Sequence, residues 1–515
     1  MTGQHVLFWA SVFLLGYAYL GYPALVWAWA AVRRRPRRRS RAEPTVSVLV
    51  VAHNEAARIE GRLENLFSVD YPRDRLEILL GSDGSTDGTA EIARAHEPAG
   101  VTVMAFERRR GKAAVLNDVM PKARGDIVVL ADARQRFAPG AIRALVEPFG
   151  DPQVGAVSGE LILTPDPESA PVGHGVGVYW RYEKFIRRNE SRVDSTVGAT
   201  GAVYAIRREL FEPIPDDTLL DDVLIPLRIT RRGYRVLFEP GARAYDRAAA
   251  TTAEEFARKV RTLAGNFQLF ARERWAMNPF QNRLWLQTVS HKGLRLFLPL
   301  LHVGAFIANL PLADGPLYGG MLLAQALFYA FALGGYAGRN GGRRTPLLSV
   351  PYVICVLNCA TLVGFLRFVT GRQRATWDHV SRPAGGGTRR VEEARAQSDR
   401  GGAGAPVLRF EAAPNATGGT TMPWRNVRSF LYNASSVRQN APAASGVYGI
   451  FTPHEWIYIG ESQDIQARLL QHLNGDNACI STSGATSFSF ELVPAQQRAV
   501  RQSALVLEYQ PACNR

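Results

Sequence analysis

With 515 residues the chain is too long for one ordinary domain, and two or three units are expected. Hydrophobic residues reach 46% but are clustered, and the formal net charge of +15 includes seven arginines at positions 33–41; a basic run beside an apolar segment points to a membrane flank before it points to DNA. The four cysteines, Cys355, Cys359, Cys479 and Cys513, make no paired framework, which fits reduced, non-secreted domains.

Residues 6–32 are almost uncharged and rich in Leu, Ala, Trp and Tyr, enough to span a bilayer. A cleaved signal peptide wants a basic start and a shorter apolar core, whereas here the basic residues follow. Residues 1–43 therefore read as an uncleaved anchor, with 33–41 on the cytoplasmic side.

Residues 44–275 read as mixed α/β. Nearly continuous apolar runs at 46–52, 76–80 and 127–131 suit strands covered on both faces, and helical patterns at 57–67, 89–96 and 112–119 separate them. This alternation predicts a doubly wound sheet. Ligands of such sheets bind outside the carboxyl ends of the strands, where Asp83 and Asp132 fall.

Three more apolar stretches follow, at 296–312, 317–336 and 347–366. The third has Arg343 and Arg344 before it, Arg367, Arg372 and Arg374 after it, and Pro351 and Asn358 within it. These features suit a re-entrant or interfacial segment as well as a span. Two crossings after the anchor leave the C-terminus in the cytoplasm, and three put it outside. Residues 276–382 are thus expected as C-terminal membrane helices. Residues 383–408, with G-G-G, R-R and G-G-A-G-A, are expected as a flexible linker, and 409–515 as a separate small unit.

The residues of 44–275 that carry chemistry come as four elements. The first strand ends in V-V-A-H-N-E-A and the second in G-S-D-G-S-T-D-G-T; G-K-A-A-V-L-N puts Lys112 at a helix start. The third strand, in V-V-L-A-D-A-R-Q-R-F, ends on Asp132, with Arg134 where a second carboxylate would complete a cation site. Finally, T-L-L-D-D-V sets Asp221 and Asp222 before a helix. Singly, each has a plain structural reading as a helix cap or a solvated lysine. In this order and on this fold they resemble family 2 glycosyltransferases of the GT-A fold, in their membrane-embedded branch.

The resemblance implies roles. Asp83 would contact the nucleotide of an activated sugar, with Glu55 and Arg261 also in the donor site and Lys112 near the diphosphate. Asp132, at the first position of the family's D-x-D, would hold Mg²⁺ or Mn²⁺ on that diphosphate. Asp222 matches the catalytic base, and Asp221 would assist or cap. A nucleoside diphosphate leaves poorly until a cation neutralises its developing charge, and magnesium often takes only one or two carboxylates plus phosphates and water. A sugar hydroxyl needs a base to take its proton, which gives inversion by single displacement. Arg134 either pairs with a phosphate oxygen or points into solvent. Processive synthases of the family carry Q-x-x-R-W where this chain has R-K-V-R-T; Arg261 stays, but Arg258 and Thr262 replace the Gln and Trp, which argues against long-chain polymerisation. G-A-T-G-A at 198–202 resembles the family's acceptor-side loop, its small residues allowing close backbone approach, or is simply a tight turn.

In the C-terminal unit S-G-V-Y-G-I and W-I-Y-I-G-E-S flank T-P-H-E, a hairpin pattern. A helix with I-Q-A-R-L-L-Q-H places Arg468 and His472 one turn apart, and L-E-Y-Q-P-A-C-N adds Glu508 and Asn514. The series resembles a GIY-YIG nuclease domain, with G-V-Y for the first motif. That likeness implies that Tyr448 and Tyr458 lie in the hairpin core of the site, one as general base or orienting the attacking water. Arg468 would stabilise a pentavalent phosphate, His472 would assist proton transfer, and Glu508 would bind a divalent ion with Asn514 nearby. From Arg409 onward there are eight arginines, no lysine and seven acidic residues, little with which to hold duplex DNA.

The reading that unites these features is a multi-pass cell-membrane enzyme with a cytoplasmic catalytic domain. It would move a sugar from a nucleotide-diphosphate donor to a lipid-linked or polysaccharide acceptor at the lipid bilayer. The alternatives are a membrane-tethered, metal-dependent endonuclease with an inactive transferase domain, and a scaffold in which both sites are relics.

Overall fold

A computed structural model of the chain describes residues 3–33, 35, 40, 42–164, 173–247, 252–338, 345–376, 430–451, 456–483, 485–509 and 511–514. The chain divides at about residue 417 into two compact units. The linker expected at 383–408 and most of the arginine run lie outside the described residues.

The first unit opens with helices α1 (Gly3–Gly16) and α2 (Tyr22–Val32), joined by one π-helical turn into a single apolar element. An eight-stranded sheet follows, built from β1 (Val46–Ala52), β2 (Leu76–Asp83), β3 (Val101–Phe106), β4 (Ile127–Asp132), β5 (Arg136–Phe137), β6 (Val154–Thr164), β7 (Val203–Arg207) and β8 (Arg235–Arg247), in the order β3-β2-β1-β4-β7-β6-β8-β5. The first four strands in that order run parallel, and β7 is antiparallel to β4. Side chains alternate faces along each strand, so Val48 and Val50 enter one core and Leu49 the other, each strand buried on both sides as its apolar run requires. Helices α3 (Ala56–Phe67), α4 (Thr89–Arg94), α5 (Lys112–Val119), α6 (Ala141–Val146), α7 (Gly173–Val193), α8 (Asp221–Arg231) and α9 (Thr252–Arg272) complete the unit. In α3, Ile59, Leu63 and Leu66 recur at helical spacing and are fully buried.

This topology makes the site. Strand β1 pairs with β2 on one side and β4 on the other, and Val51 is level with both Gly81 and Asp132. The chain order reverses between β1 and β4, and such a switch point leaves a crevice at the strand ends. Strand β2 runs to Asp83, three residues beyond the expected end, because Gly81 to Asp83 continue the ladder with Met104 to Phe106. Asp83 and Asp132 thus reach one rim, about two strand spacings or ~10 Å apart.

After the sheet come α10 (Trp285–Thr288), α11 (Leu298–Asn309), α12 (Pro316–Ala337) and α13 (Pro346–Val369). Three described helices, Gly3–Val32, Pro316–Ala337 and Leu347–Val369, are long and apolar enough to cross a membrane. The stretch expected at 296–312 is one limb of a bent pair, Trp285–Leu296 and Leu298–Leu312, set at 62°. The break falls beside Pro299, which has no N–H to continue the helix. The 347–366 stretch, read as re-entrant, interfacial or spanning, is one helix through Pro351. It packs along α9, where the Phe267 ring lies 5.2 Å from Phe365 and 6.2 Å from Phe368.

The second unit is an antiparallel sheet of β9 (Phe430–Leu431), β10 (Gly446–Phe451), β11 (Trp456–Ser462) and β12 (Ser487–Leu492), ordered β11-β10-β12-β9. It carries helices α14 (Ala434–Asn440), α15 (Ile465–Leu473), α16 (Ala478–Thr482) and α17 (Arg498–Tyr509). The expected β10–β11 hairpin is present, and its tip, 452–455, lies outside the described residues. One expectation is corrected: Cys479 and Cys513 form a disulfide, while Cys355 and Cys359 are free. The bond joins α16 to the terminal turn across 34 residues, a proximity that spacing along the chain does not reveal.

Candidate active site

The rim is assembled by backbone first. Asp83 is buried, and its two carboxylate oxygens accept the N–H groups of Arg110 (2.7 Å) and Gly111 (2.8 Å). It therefore fixes the start of α5, and Lys112 follows directly. The loop after β2 is braced from the other side: Thr86 N–H donates to Asn54 Oδ1 (2.8 Å), Ala56 N–H to Asp87 (3.0 Å) and Glu55 N–H to Thr89 Oγ1 (2.8 Å). Glu55 stands at the N-terminal boundary of α3 without a side-chain capping bond, and its carboxylate binds Arg58 at 2.8 Å.

Lys112 then joins two carboxylates from distant parts of the sequence. Its Nζ lies 2.9 Å from Asp132 Oδ1 and 3.2 Å from Asp221 Oδ2. All three side chains are largely buried. Burial disfavours the ammonium, but Asp132 and then Asp221 outweigh it and hold the Lys112 pKa well above that of a free lysine. Asp221 also receives the Tyr204 hydroxyl at 3.3 Å, a phenol pushed well up by burial and then by Asp221.

Asp222 sits beside this group with a different environment. The 198–202 loop wraps it: Ala199 N–H donates to its carbonyl (2.7 Å) and Gly201 N–H to its Oδ2 (3.1 Å). Gly198 has φ +88°, a conformation that glycine adopts freely and that turns the loop onto α8. The Asp222 pKa is raised to about 6 by burial and by Asp221, against the opposing charges of Lys112, Lys292 and Arg187. A carboxylate with a pKa near 6, partly exposed beside the rim, is a suitable general base.

The expected site residues are therefore brought together in part. Asp83, Lys112, Asp132, Asp221 and Asp222 form one connected group. Arg261 joins its edge, donating to the carbonyls of Arg374 (3.2 Å) and Ala375 (3.1 Å), with its pKa lowered by burial. Arg134 does not point into solvent: it is mostly buried and pairs with Asp246 at 3.5 Å. Arg258 pairs with Glu254, and the Thr262 hydroxyl donates to the Arg258 carbonyl at 3.0 Å. Sequence reasoning missed Tyr204 and Arg187. Arg187 donates to Thr200 Oγ1 at 2.9 Å and so supports the loop that holds Asp222. The G-A-T-G-A motif flagged that loop but gave no sign of what lies beneath it.

Among the described residues no three His, Cys, Asp or Glu side chains converge as a metal site. Asp132 uses Oδ1 for Lys112, and its other oxygen has no hydrogen-bond partner among the described residues. The chain thus offers one carboxylate oxygen beside an ammonium. This fits a hard cation that takes its remaining ligands from a diphosphate and water.

In the second unit Tyr448 and His472 are buried together. The Tyr448 hydroxyl lies 2.8 Å from His472 Nε2, and His472 Nδ1 lies 2.6 Å from Asp476 Oδ1. Arg468 binds the other Asp476 oxygen at 3.0 Å. Burial lowers the His472 pKa, and burial and then Tyr458 raise that of Tyr448, so both rest neutral at pH 7. Tyr458 is half-buried, with its ring 5.1 Å from that of His472. Asn514 binds both the N–H and the carbonyl of Ile459, at 2.7 and 2.8 Å. Glu508 lies on α17, and its side chain falls outside the described residues. The glycine of Y-I-G has a physical reason: Gly460 is level with Tyr448, and a Cβ there would overlap the Tyr448 hydroxyl and ring. Gly460→Ala is expected to cost about 1–3 kcal/mol through overpacking. It should show as faster amide hydrogen exchange confined to β10, β11 and α15.

Residues 47–214 match the family described as glycosyl transferase family 2. The β-monoglucosyldiacylglycerol synthase of a Nostoc species is 34% identical over 158 residues, covering 30% of this chain and 34% of that one. The poly-β-1,6-N-acetyl-D-glucosamine synthase of Staphylococcus aureus is 25% identical over 234 residues, covering 44% of this chain and 56% of that one. The chain thus spans about a third to a half of these relatives' length. A mannosyltransferase from Pyrobaculum calidifontis, solved with GDP-Man and Mn²⁺, superposes with a TM-score of 0.56 at 26% identity, covering 71% of this chain and 99% of that one. The chain therefore carries a family 2 glycosyltransferase domain of the GT-A fold, matched over residues 47–214.

Proposed function

We propose that this chain is a membrane-bound inverting glycosyltransferase that moves a sugar from a nucleoside-diphosphate donor to a hydroxyl of a lipid-linked or glycan acceptor. The observation that carries this reading is the pairing of an ion-paired rim, Lys112 with Asp132 and Asp221, with a separate, proton-accepting carboxylate at Asp222. The diphosphate would lie at the rim, where Lys112 faces it and Asp132 would hold the divalent ion against it. A bound Mg²⁺ or Mn²⁺ would neutralise the charge that develops as it leaves. The acceptor oxygen attacks the anomeric carbon and gives its proton to Asp222. The bond from that carbon to the diphosphate breaks, and the electron pair leaves with the nucleotide. Support comes from the relatives, two of which by name make a glucosyl diacylglycerol and a polysaccharide, and one of which was solved with GDP-Man and Mn²⁺. Three apolar helices and the arginines at 33–41 favour a membrane location with this domain on the cytoplasmic face.

The test is a donor screen with purified protein in detergent, following nucleotide release with and without Mn²⁺. Asp132→Ala and Asp222→Ala should each fall far below wild type; equal rates in all three without metal dependence would sink the proposal. Because Thr262 and Arg258 are tied to the helix rather than presenting a stacking surface, each acceptor should gain one sugar. Mass spectrometry of the product over many turnovers checks this, and a ladder of lengthening products would contradict it.

A second reading concerns the C-terminal unit, where Tyr448, His472 and Asp476 form a hydrogen-bonded relay. We infer a GIY-YIG-like site in which the Tyr448 hydroxyl, hydrogen-bonded to His472, orients the attacking water at a phosphodiester. The near-neutral charge of this unit and its disulfide argue against a role on chromosomal DNA. Metal-dependent nicking of supercoiled plasmid, lost in Tyr448→Phe and in His472→Ala, would support cleavage. No nicking by wild type would leave the unit without nuclease function.

A further inference from the structure

A series of direct contacts joins the N-terminal helix to the carboxylate of Asp222, by way of α7. Glu183, Arg187 and Glu190 recur along α7 at four- and three-residue intervals, so they share one face of the helix. Beside them Ile186 and Val193 pack against Tyr22, Val26 and Ala30 of α2. The face that α7 turns to the anchor is therefore apolar along one edge and charged along the other.

The charged edge is tightly knit. The Tyr22 hydroxyl donates to Glu190 Oε1 at 2.5 Å. His291, in the turn after α10, lies 2.9 Å from the same Glu190 oxygen through Nδ1 and 3.0 Å from Glu183 Oε2 through Nε2, and Arg295 pairs with the other Glu183 oxygen. Tyr17 meets the hydroxyl of Ser290 at 2.8 Å. The Tyr182 hydroxyl donates to the carbonyls of Ala18 (3.2 Å) and Tyr19 (3.1 Å) within the π-helical turn. Tyr22, Glu190 and His291 are 2%, 0% and 0% exposed. Stability does not require buried charge here, since well-packed apolar side chains of similar volume generally serve as well, and the adjoining Ile186 and Val26 show that the interface accepts them. What the network adds is a single register of α7 against the anchor.

That register is passed on to the chemistry. Arg187 donates to Thr200 Oγ1 at 2.9 Å, and the Thr200 N–H donates to Ser158 Oγ at 2.9 Å. On either side of Thr200, Ala199 N–H holds the Asp222 carbonyl at 2.7 Å and Gly201 N–H holds its Oδ2 at 3.1 Å. A second route, from the Thr196 hydroxyl to Glu190 Oε2, is 3.4 Å long and too weak to carry much. A slip or rotation of α7 therefore acts through Arg187 and Thr200 on the N–H that favours an ionised Asp222. The donor rim is built on other supports, with Asp83 holding the start of α5 and Lys112 holding Asp132.

We propose that Tyr22 and Glu190 are positioning residues for sugar transfer, and that the N-terminal helix, docked through them, holds Asp222 in place to accept the proton. This rests on the transferase reading and gives the anchor a part in catalysis beyond tethering. Both side chains act through α7 and the 198–202 loop, not on the reacting atoms.

The test uses the full chain in detergent and the Tyr22→Phe variant, which removes one hydroxyl and keeps the ring. Its kcat, followed as nucleotide release from the donor that the screen selects, should fall by about 3- to 30-fold, the range for changes along a coupled network. Binding of UDP and of GDP with Mn²⁺, measured by calorimetry, should be unchanged. The inflection of kcat/KM against pH should move upward, because a weakened N–H bond no longer favours the charged form of Asp222. Thr200→Val should reproduce all three results, and Thr200→Ser, which keeps the hydroxyl, should restore wild-type behaviour. The double variant Tyr22→Phe with Thr200→Val should be no slower than the slower single one, since both interrupt the same path. Amide hydrogen exchange at residues 198–202, read without any donor, should quicken about tenfold in Tyr22→Phe. Losses that multiply in the double variant, an unmoved inflection, unchanged exchange in the loop, or nucleotide affinity that falls along with kcat would each overturn the proposal. No nucleotide release by wild type from any donor would sink the transferase reading instead, and the exchange result would still decide whether the anchor reaches the loop.

Discussion

Asp222→Asn is expected to lower kcat by about 10²- to 10⁴-fold, the usual contribution of a positioned general base. The substitution is nearly isosteric, and the Asn oxygen can still accept the Gly201 N–H that now reaches Oδ2 at 3.1 Å. What is lost is the ability to take a proton. Donor affinity should change little, because Lys112 and Asp132 remain paired. The pH dependence follows with a definite sign. The Asp222 pKa is raised to about 6, first by burial and then by Asp221. Below that value the carboxyl is protonated and cannot act as base, so kcat/KM of wild type should rise with pH up to about 6 and then level. Asp221→Asn removes one of the two raising influences and should move the inflection downward. The same shift bears on stability in the opposite direction. A carboxyl whose folded pKa exceeds its unfolded value favours the fold below the unfolded pKa, and this contribution is lost as pH rises through the folded one. At pH 7 Asp222→Asn should therefore be at least as stable as wild type, although almost inactive. A profile of nucleotide release against pH for the three proteins, with melting curves alongside, checks every part. An inflection unmoved by Asp221→Asn, or an active Asp222→Asn, would remove Asp222 from the chemistry.

The parts of this protein that were readable in its sequence are those governed by local pattern. Apolar runs without alternation gave β1, β2 and β4, because a strand covered on both faces needs no polar side. Helix α5 was legible to the residue, since Gly111 and Lys112 open it and an apolar run fills it. The five acidic and basic groups of the rim were legible only through the family order, because the contacts among them bridge 20 to 109 positions along the chain. No periodicity predicts that Lys112 will meet both Asp132 and Asp221. The Arg134 partner was hidden for the same reason: Asp246 lies on β8, on the opposite flank of the sheet from the parallel strands. The disulfide was missed because two cysteines 34 residues apart carry no spacing signal. Pro351, one of the features that left 347–366 open as re-entrant, interfacial or spanning, lies inside an unbroken helix. In the second turn of a helix a proline forfeits one hydrogen bond, and packing along α9 maintains the rest.

Lys112→Met is expected to be the most damaging single change to the first unit's stability. Lys112, Asp132 and Asp221 expose 13%, 23% and 11% of their side chains, so each charge depends on the others more than on water. Breaking such a group by removing one partner costs about 3–5 kcal/mol, because the remaining charges stay buried without compensation. Here two carboxylates would be left facing each other, with Asp222 beside them. For a domain of this size that corresponds to a fall in Tm of roughly 6–20 °C. The damage should be recoverable: adding Asp221→Asn to Lys112→Met removes the like-charge repulsion and should restore more than half of the lost stability, a coupling that a simple sum of the two single effects would not give. Activity should not return with it, since the ammonium that faces the diphosphate is absent in both variants. The measurement is a set of four melting curves, wild type, each single variant and the double, with nucleotide release recorded in parallel. Additive single effects would mean that the three side chains do not act as one electrostatic unit. Recovery of activity together with stability would mean that Lys112 braces the fold and has no part in holding the leaving group.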